Sequence, residues 1–247
     1  MNHLHQLLEL KNKNALITGA TSGIGEAIAG ILAQSNVNLC LTGRNEQKLN
    51  QIKKGLNHLP VKTEVLKADL AMEDQLKGIT DFYADHFSTL DILIHNAGVI
   101  ITGPVEKASV SDLKMQFNVN YLAPYLITQS LLPMIRKSKG QIVFINSSAI
   151  QRPMGNLAQY ASSKYALKGL ADSLREEINA DGIRVLTIYP GKTATSMQEK
   201  LHHENNKSYQ PEKLLQPEDI AITILNAIQL PITAEITEIF IRPMQKS

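Results

Sequence analysis

The chain contains a single cysteine, Cys40. No internal disulfide can form, no cysteine set for zinc exists, and nothing calls for an oxidising compartment. Charge of one sign is equally scarce. The 25 Lys and Arg residues face 23 Asp and Glu residues, a net charge of +2, too little for the clustered basic face of a nucleic-acid binder. No apolar run approaches the roughly eighteen residues of a membrane-spanning helix, and no charged-then-apolar leader opens the chain. Repeats, low-complexity tracts and Gly/Ser/Pro-rich linkers are missing too. What remains is an ordinary globular composition, 43% apolar and 19% charged over 247 residues, which excludes disorder. At roughly 100–200 residues per domain, residues 1–247 read as one domain of a cytoplasmic protein, with neither nucleic acid nor membrane as partner.

Short β-type runs alternate with helical patterns. The strand candidates are Ala15–Thr18, Val37–Thr42, Val61–Lys67, Ile92–His95, Gln141–Asn146, Ile183–Ile188 and Ile236–Ile241. Several are continuous apolar runs, as in strands buried on both faces. Between them the spacing predicts helices over Gly23–Gln34, Glu46–Leu56, Met72–Phe87, Ser109–Lys137, Ala158–Ala180 and Pro217–Leu230. Pro124, inside the fourth, would ordinarily kink it, yet one helix is expected there. Residues 1–13 read as an arm or a partly ordered helix. Strict β/α alternation implies an α/β fold, a doubly wound, seven-stranded parallel sheet with helices on both faces.

The first strand runs into Thr18-Gly19-Ala20-Thr21-Ser22-Gly23-Ile24-Gly25, and a helix follows. Glycines there permit a tight turn and close approach of backbone to a pyrophosphate, which a helix N-terminus then favours. The spacing is not that of a P-loop, which disfavours ATP or GTP hydrolysis. Further on, Tyr160 and Lys164 lie four apart on a predicted helix and so share a face. An ammonium one turn from a phenol favours phenolate and lowers the phenol pKa toward the working range. Such a phenol can give or take a proton at a carbonyl oxygen. The fifth strand ends in Ser147 and Ser148, and the preceding helix carries Asn118 and Asn120. Each pair leaves two candidates.

In this order and on these elements, the motifs resemble those of the short-chain dehydrogenases/reductases, single-domain Rossmann enzymes of about this length. The similarity spans roughly residues 11–242. The resemblance implies a catalytic set of Asn120, Ser147, Tyr160 and Lys164. Ser147 is preferred to Ser148 by its spacing to the tyrosine, and Asn120 to Asn118 by the family's Val-Asn pattern. Ser147 would bond the substrate oxygen, and Asn120 would bend the helix and hold a water linking Lys164 to solvent. Cofactor contacts are implied at Gly19, Thr21, Ser22, Gly23, Ile24, Gly25, Asp69, Leu70, Asn96, Ala97, Gly98, Tyr160, Lys164, Pro190, Gly191, Thr193 and Thr195. His95 stands where the family often has a second Asn. The second strand ends in Gly43-Arg44, where an NAD-preferring Rossmann protein usually offers an acidic residue. Arg44 suits a 2′-phosphate instead, so the expected cofactor is NADP (NADPH), with Arg44 among its contacts. Pairing through the two long helices implies a homodimer or homotetramer.

Three histidine-bearing features are set aside. His3, His5 and the pair His202-His203 read as solvated, with no metal site. Cys40 reads as a buried hydrophobe. Residues 192–216 are polar and without strong period, and the resemblance places the substrate lid there. Met197, Leu201 and Tyr209, with Ile150, Met154 and Leu157, suit a neutral or partly apolar carbonyl. The expected function is NADP(H)-dependent hydride transfer between nicotinamide and a carbonyl or secondary alcohol. The alternatives are an NAD-dependent secondary alcohol dehydrogenase and a non-catalytic dinucleotide sensor.

Overall fold

The computed structural model describes residues 7–152 and 154–245. The expected features at His3 and His5, and residues 1–6 of the arm, lie outside them. The strands are β1 (Asn14–Thr18), β2 (Asn38–Gly43), β3 (Thr63–Lys67), β4 (Ile92–His95), β5 (Gln141–Ile145), β6 (Arg184–Pro190) and β7 (Glu238–Ile241). They form one sheet in the order β3-β2-β1-β4-β5-β6-β7, every pair parallel. This is the doubly wound, Rossmann-like α/β fold expected from the alternation of elements. The order reverses between β1 and β4, and a crevice opens beyond the carboxyl ends of the strands at such a point.

The helices are α1 (Gly23–Gln34), α2 (Glu46–Leu56), α3 (Glu73–His86), α4 (Val110–Phe117), α5 (Ala123–Ser138), α6 (Ala158–Ile178), α7 (Ser196–Glu204) and α8 (Pro217–Ile228). Side chains of the apolar strands divide strictly between the two faces. Ile17, Ile94, Val143 and Ile188 pack with α1 and α8 in one core. Leu16, Leu93, Phe144 and Val185 pack with α3, α5 and α6 in the other. Period-two geometry alone sends neighbours to opposite faces, so two cores form from runs that show no polar alternation.

Three expectations need correction. The helix expected over Ser109–Lys137 is interrupted by a π-turn, Asn118–Leu122, between α4 and α5. The Ala123 amide donates to the Asn118 carbonyl, so the wider turn places Pro124, which has no N–H, at the start of α5. The proline is absorbed there and does not break a ladder. Residues 192–216 hold α7, whose N-cap Thr195 accepts from the Gln198 amide at 3.3 Å. Capping, rather than periodicity, makes that helix. Residues 7–13 contain no helix; the Leu8 amide is tied to the Gln229 carbonyl at 2.7 Å and Leu10 is buried.

At the opposite end of the sheet, Asp91 joins the two strands that flank the reversal. Its carboxylate accepts from the Asn14 amide and from Lys13 Nζ, both at 2.9 Å. The Asp91→Ala variant leaves that amide without its acceptor and is expected to lose about 1–3 kcal/mol of stability in denaturant unfolding. Asp91→Asn keeps an acceptor and gives up only a half-exposed ion pair, a loss of under about 1 kcal/mol.

Candidate active site

Every segment singled out in the sequence leaves the sheet at the same edge. The turn after β1 is shaped by two glycines for separate reasons. Gly19 has φ +67°, and a Cβ there would come within 2.7 Å of the Ala97 Cα. At Gly25, in the first turn of α1, a Cβ would lie 2.3 Å from the Gly19 carbonyl oxygen. Ser22 is the N-cap of α1 and makes no side-chain cap hydrogen bond, so no capping side chain takes up its first-turn amides. The methyl group of Thr195 stands against Gly23, which brings the β1 turn and the start of α7 together.

Asn96, directly after β4, bolts the second turn to the first. Its Nδ2 donates to the carbonyls of Thr18 (3.1 Å) and Gly19 (2.9 Å). Thr18 Oγ1 accepts from the amides of Asn96 and Ala97 at 3.1 and 3.2 Å. Two residues on, a Cβ at Gly98 would lie 3.5 Å from Asn120 Oδ1 and 3.7 Å from Lys164 Nζ. The lysine of the Tyr-x-x-x-Lys helix therefore stands on the same side of the molecule as the glycine turn.

Tyr160 and Lys164 lie one turn apart on α6, 8% and 3% exposed. Lys164 Nζ donates to the Ile145 carbonyl at 2.9 Å, and burial lowers its pKa to about 8. Burial pushes the Tyr160 phenol above its ordinary value, and a hydrogen bond with Ser147 opposes that. In the chain without cofactor, desolvation outweighs that contact. Ser147 Oγ also accepts from the Ala149 amide at 3.1 Å. Ser148 opens the short 3₁₀ turn that follows.

Asn120 lies in the π-turn and is fully buried. Its Oδ1 accepts from the Val99 amide, and its Nδ2 donates to the Val99 carbonyl and to Ser163 Oγ, all at 2.9 Å. Asn118, the other candidate, donates to the Ala71 carbonyl at 3.3 Å. That links the π-turn to the loop of Asp69 and Leu70 after β3. Asp69 Oδ1 accepts from the Ala71 amide at 3.0 Å, and Leu70 is buried.

On the far side of the crevice, Pro190 ends β6 and the Gly191 amide donates to the Ile241 carbonyl at 2.7 Å. Thr193 is buried, bridges Leu215, and gives its hydroxyl to the Gly191 carbonyl at 3.0 Å. Arg44 is exposed just beyond β2. A Cβ at Gly43 would lie 2.7 Å from the Thr21 methyl.

Sequence reasoning passed over several of the residues that hold this arrangement. Asn146 donates to the Lys164 carbonyl at 3.1 Å and accepts from the Ser147 amide at 2.9 Å. Ser163 donates to the Tyr160 carbonyl at 2.7 Å. A polar residue closing an otherwise apolar strand was the available signal for Asn146; Ser163 had none. His202 also corrects an expectation. It is buried rather than solvated, its Nδ1 lies 2.8 Å from the Gln198 carbonyl, and its ring packs edge-on against Tyr209. Among the described residues no cluster of three or more His, Cys, Asp or Glu residues could hold a metal ion. His95 is buried, stacks on Phe144, and pairs through Nε2 with Thr128 Oγ1 at 2.8 Å. Burial lowers its pKa to about 3, so it is neutral. Cys40 is buried as expected, its thiol pushed up to about 12 by desolvation.

Comparison with known proteins gives concordant results. A family model described as short chain dehydrogenase matches residues 13–206. An oxidoreductase of Staphylococcus epidermidis, named as uncharacterised, is 31% identical over 239 residues, covering 96% of this chain and all of the relative. An alcohol dehydrogenase from the archaeon Thermococcus sibiricus, solved with 5-hydroxy-NADP, superposes with a TM-score of 0.86 at 25% identity, covering 96% of this chain and 99% of the other. A short-chain dehydrogenase from Escherichia coli, solved with NADPH, gives 0.84 at 28% identity, covering 94% and 98%.

The buried ammonium has a consequence for stability. Lys164 holds its proton up to its ordinary 10.5 when unfolded and only to about 8 when folded. The folded state therefore carries a penalty below pH 8 that is relieved as pH rises from 8 to 10.5. The Lys164→Met variant removes the charge, at the cost of one hydrogen bond to Ile145. Without added ligand, it is expected to unfold at higher denaturant at pH 7, by roughly 1–2 kcal/mol, with the gain shrinking at pH 10. A variant less stable than the parent at pH 7 contradicts this.

Proposed function

The chain belongs to the short-chain dehydrogenase family, and from that membership we propose that it is an NADP(H)-dependent oxidoreductase acting on a carbonyl or secondary alcohol, with Tyr160 as general acid and base. One observation carries the reading. Tyr160 and Lys164 sit one helical turn apart, and Gly98, two residues on from the Asn96 that is bonded to the glycine turn, lies beside Lys164 Nζ.

The residues present fit a dinucleotide. The β1 turn is held open by Gly19 and Gly25 where side chains would collide with backbone, and such a cradle before a helix N-terminus suits a pyrophosphate. The identity at position 43 supports the phosphorylated form. A side chain there would have to displace the Thr21 methyl, and Gly43 offers no carboxylate to the ribose of NAD, while Arg44 can reach a 2′-phosphate. Solved relatives carrying NADP or NADPH agree with this choice.

Bound, the nicotinamide supplies the carrier for hydride. This chain's part is to hold the carbonyl and manage one proton. Tyr160 donates its phenolic proton to the carbonyl oxygen during reduction and takes it back from the alcohol in oxidation. Ser147, already bonded to the phenol, provides a second donor for the developing oxyanion. Lys164 lies next to Gly98 and Asn120, placed to hold the cofactor ribose. With a cationic ring alongside, the phenol would fall from its raised value toward the working range. The side chain of Asn120 is fully engaged by Val99 and Ser163, which supports the role of bracing the bent helix.

Residues 192–216, including α7, form the proposed lid. Ile150, Leu157 and Leu201 are at least partly buried and, with Met154 and Met197, suit a neutral or partly apolar carbonyl compound. We also place the protein in the cytoplasm and expect a homo-oligomer. Val110, Met115, Tyr125 and Tyr165, exposed on α4, α5 and α6, support pairing through those helices.

Two measurements test the reading. A panel of carbonyl compounds scored by NADPH absorbance should show turnover with neutral ketones or aldehydes, and Tyr160→Phe should lower kcat by about 10²–10⁴-fold with NADPH binding retained. Full turnover in that variant removes the phenol from the chemistry. The Arg44→Leu variant should weaken NADPH binding by about tenfold or more and leave NADH nearly unchanged; equal losses for both cofactors count against the 2′-phosphate contact.

A further inference from the structure

Between β4 and α4, residues 96–109 cross the mouth of the crevice without helix or strand. Such a segment needs partners for its backbone groups, and here side chains supply most of them. The Ile101 amide donates to Gln116 Oε1 at 3.0 Å. Gln116 Nε2 donates to Gln159 Oε1 at 3.1 Å. Gln159 Nε2 donates to the Ser109 carbonyl at 2.9 Å. A fourth bond runs from the Gly103 amide to the Asn156 carbonyl at 2.9 Å.

The first three bonds form a relay with a fixed direction. Each glutamine uses its oxygen on one side and its NH₂ on the other, and turning either amide over would face oxygen with oxygen and N–H with N–H. Gln116 is fully buried, so its amide would be costly to leave without these partners. Gln159 directly precedes Tyr160 in the first turn of α6. The relay thus ties the segment that continues from Asn96–Gly98 to the helix turn that presents the phenol.

We propose that Gln116 and Gln159 are positioning residues whose latch sets the width between residues 100–103 and the first turn of α6, and so selects the size of the carbonyl substituent held beside Tyr160. The proposal rests on the oxidoreductase reading for its substrate, while the latch itself is a property of the chain. Ile100 and Ile101, both partly buried, belong to the segment on one side of the latch, and Leu157, also partly buried, immediately precedes α6 on the other. An intact latch favours small or flat substituents. A broken one lets the segment move outward, weakens the hold on small ketones, and relaxes exclusion of branched ones.

The test uses Gln116→Met, Gln159→Met and the double variant, since methionine keeps length and volume and removes the amide. Hydrogen exchange of the Ile101 and Gly103 amides, with and without NADPH, should accelerate by about tenfold in each single variant. The ratio of kcat/KM for a small methyl ketone over a branched one should shrink by about tenfold through KM, while kcat on the small ketone and the Kd for NADPH stay within about threefold. The double variant should resemble the singles, because one relay is broken in each. Unchanged exchange overturns the latch. Faster exchange with an unchanged ratio, or with an equal loss of kcat on every substrate, overturns its role in selectivity. Additive effects of the two substitutions overturn the relay. If the parent protein turns over no carbonyl, the oxidoreductase reading fails and the selectivity claim with it; exchange then decides the latch alone.

Discussion

Two side chains, those of Asn96 and Thr18, hold the turn after β1 to the turn after β4. The sheet order reverses between those two strands, so helices depart to opposite faces, and the β1–β4 ladder ends at Ile17 and Ile94, short of the two turns. Asn96 reaches across, donating to two consecutive carbonyls of the glycine turn. The constraint propagates in both directions. Gly19 and Gly25 must lack side chains because the turns approach so closely. Gly98, carried forward from Asn96, settles beside Asn120 and Lys164. The glycine turn and the Tyr160 helix are thus two ends of one braced backbone.

Around that brace the chain buries polar groups at real cost. Lys164 loses basicity, the phenol of Tyr160 loses acidity, and His95 is held neutral. Each is tied to a protein partner, Lys164 to the Ile145 carbonyl, Tyr160 to Ser147, and His95 to Thr128. Partnered burial restrains these side chains while leaving their charge states sensitive to whatever binds next to them.

Much of this was legible in the linear chain because the relevant signals are local. Apolar runs at β1, β4 and β5 gave strands buried on both faces, and the Gly19–Gly25 spacing marked a tight turn entering a helix. Tyr160 and Lys164 fall on one face of α6 by helical geometry alone. Other features hid because they depend on contacts distant in sequence or on caps. The π-turn at Asn118–Leu122 arises where Asn120 is drawn toward Val99 and Ser163, and no propensity announces it. α7 has a polar, aperiodic sequence and starts at the Thr195 cap. The burial of His202 required Tyr209 to fold back onto it.

The sequence by itself determined the layered α/β architecture, the glycine turn, and the pairing of a phenol with an ammonium, because backbone period and residue chemistry act over a few positions. Only the tertiary structure decided how acidic that phenol is, which partners engage Asn120 and Lys164, and that Gln116 meets Gln159 across 43 positions of chain. Those properties come from desolvation and from hydrogen-bond geometry between segments far apart in the chain. Both exist only once the sheet has brought its strand ends to a common edge.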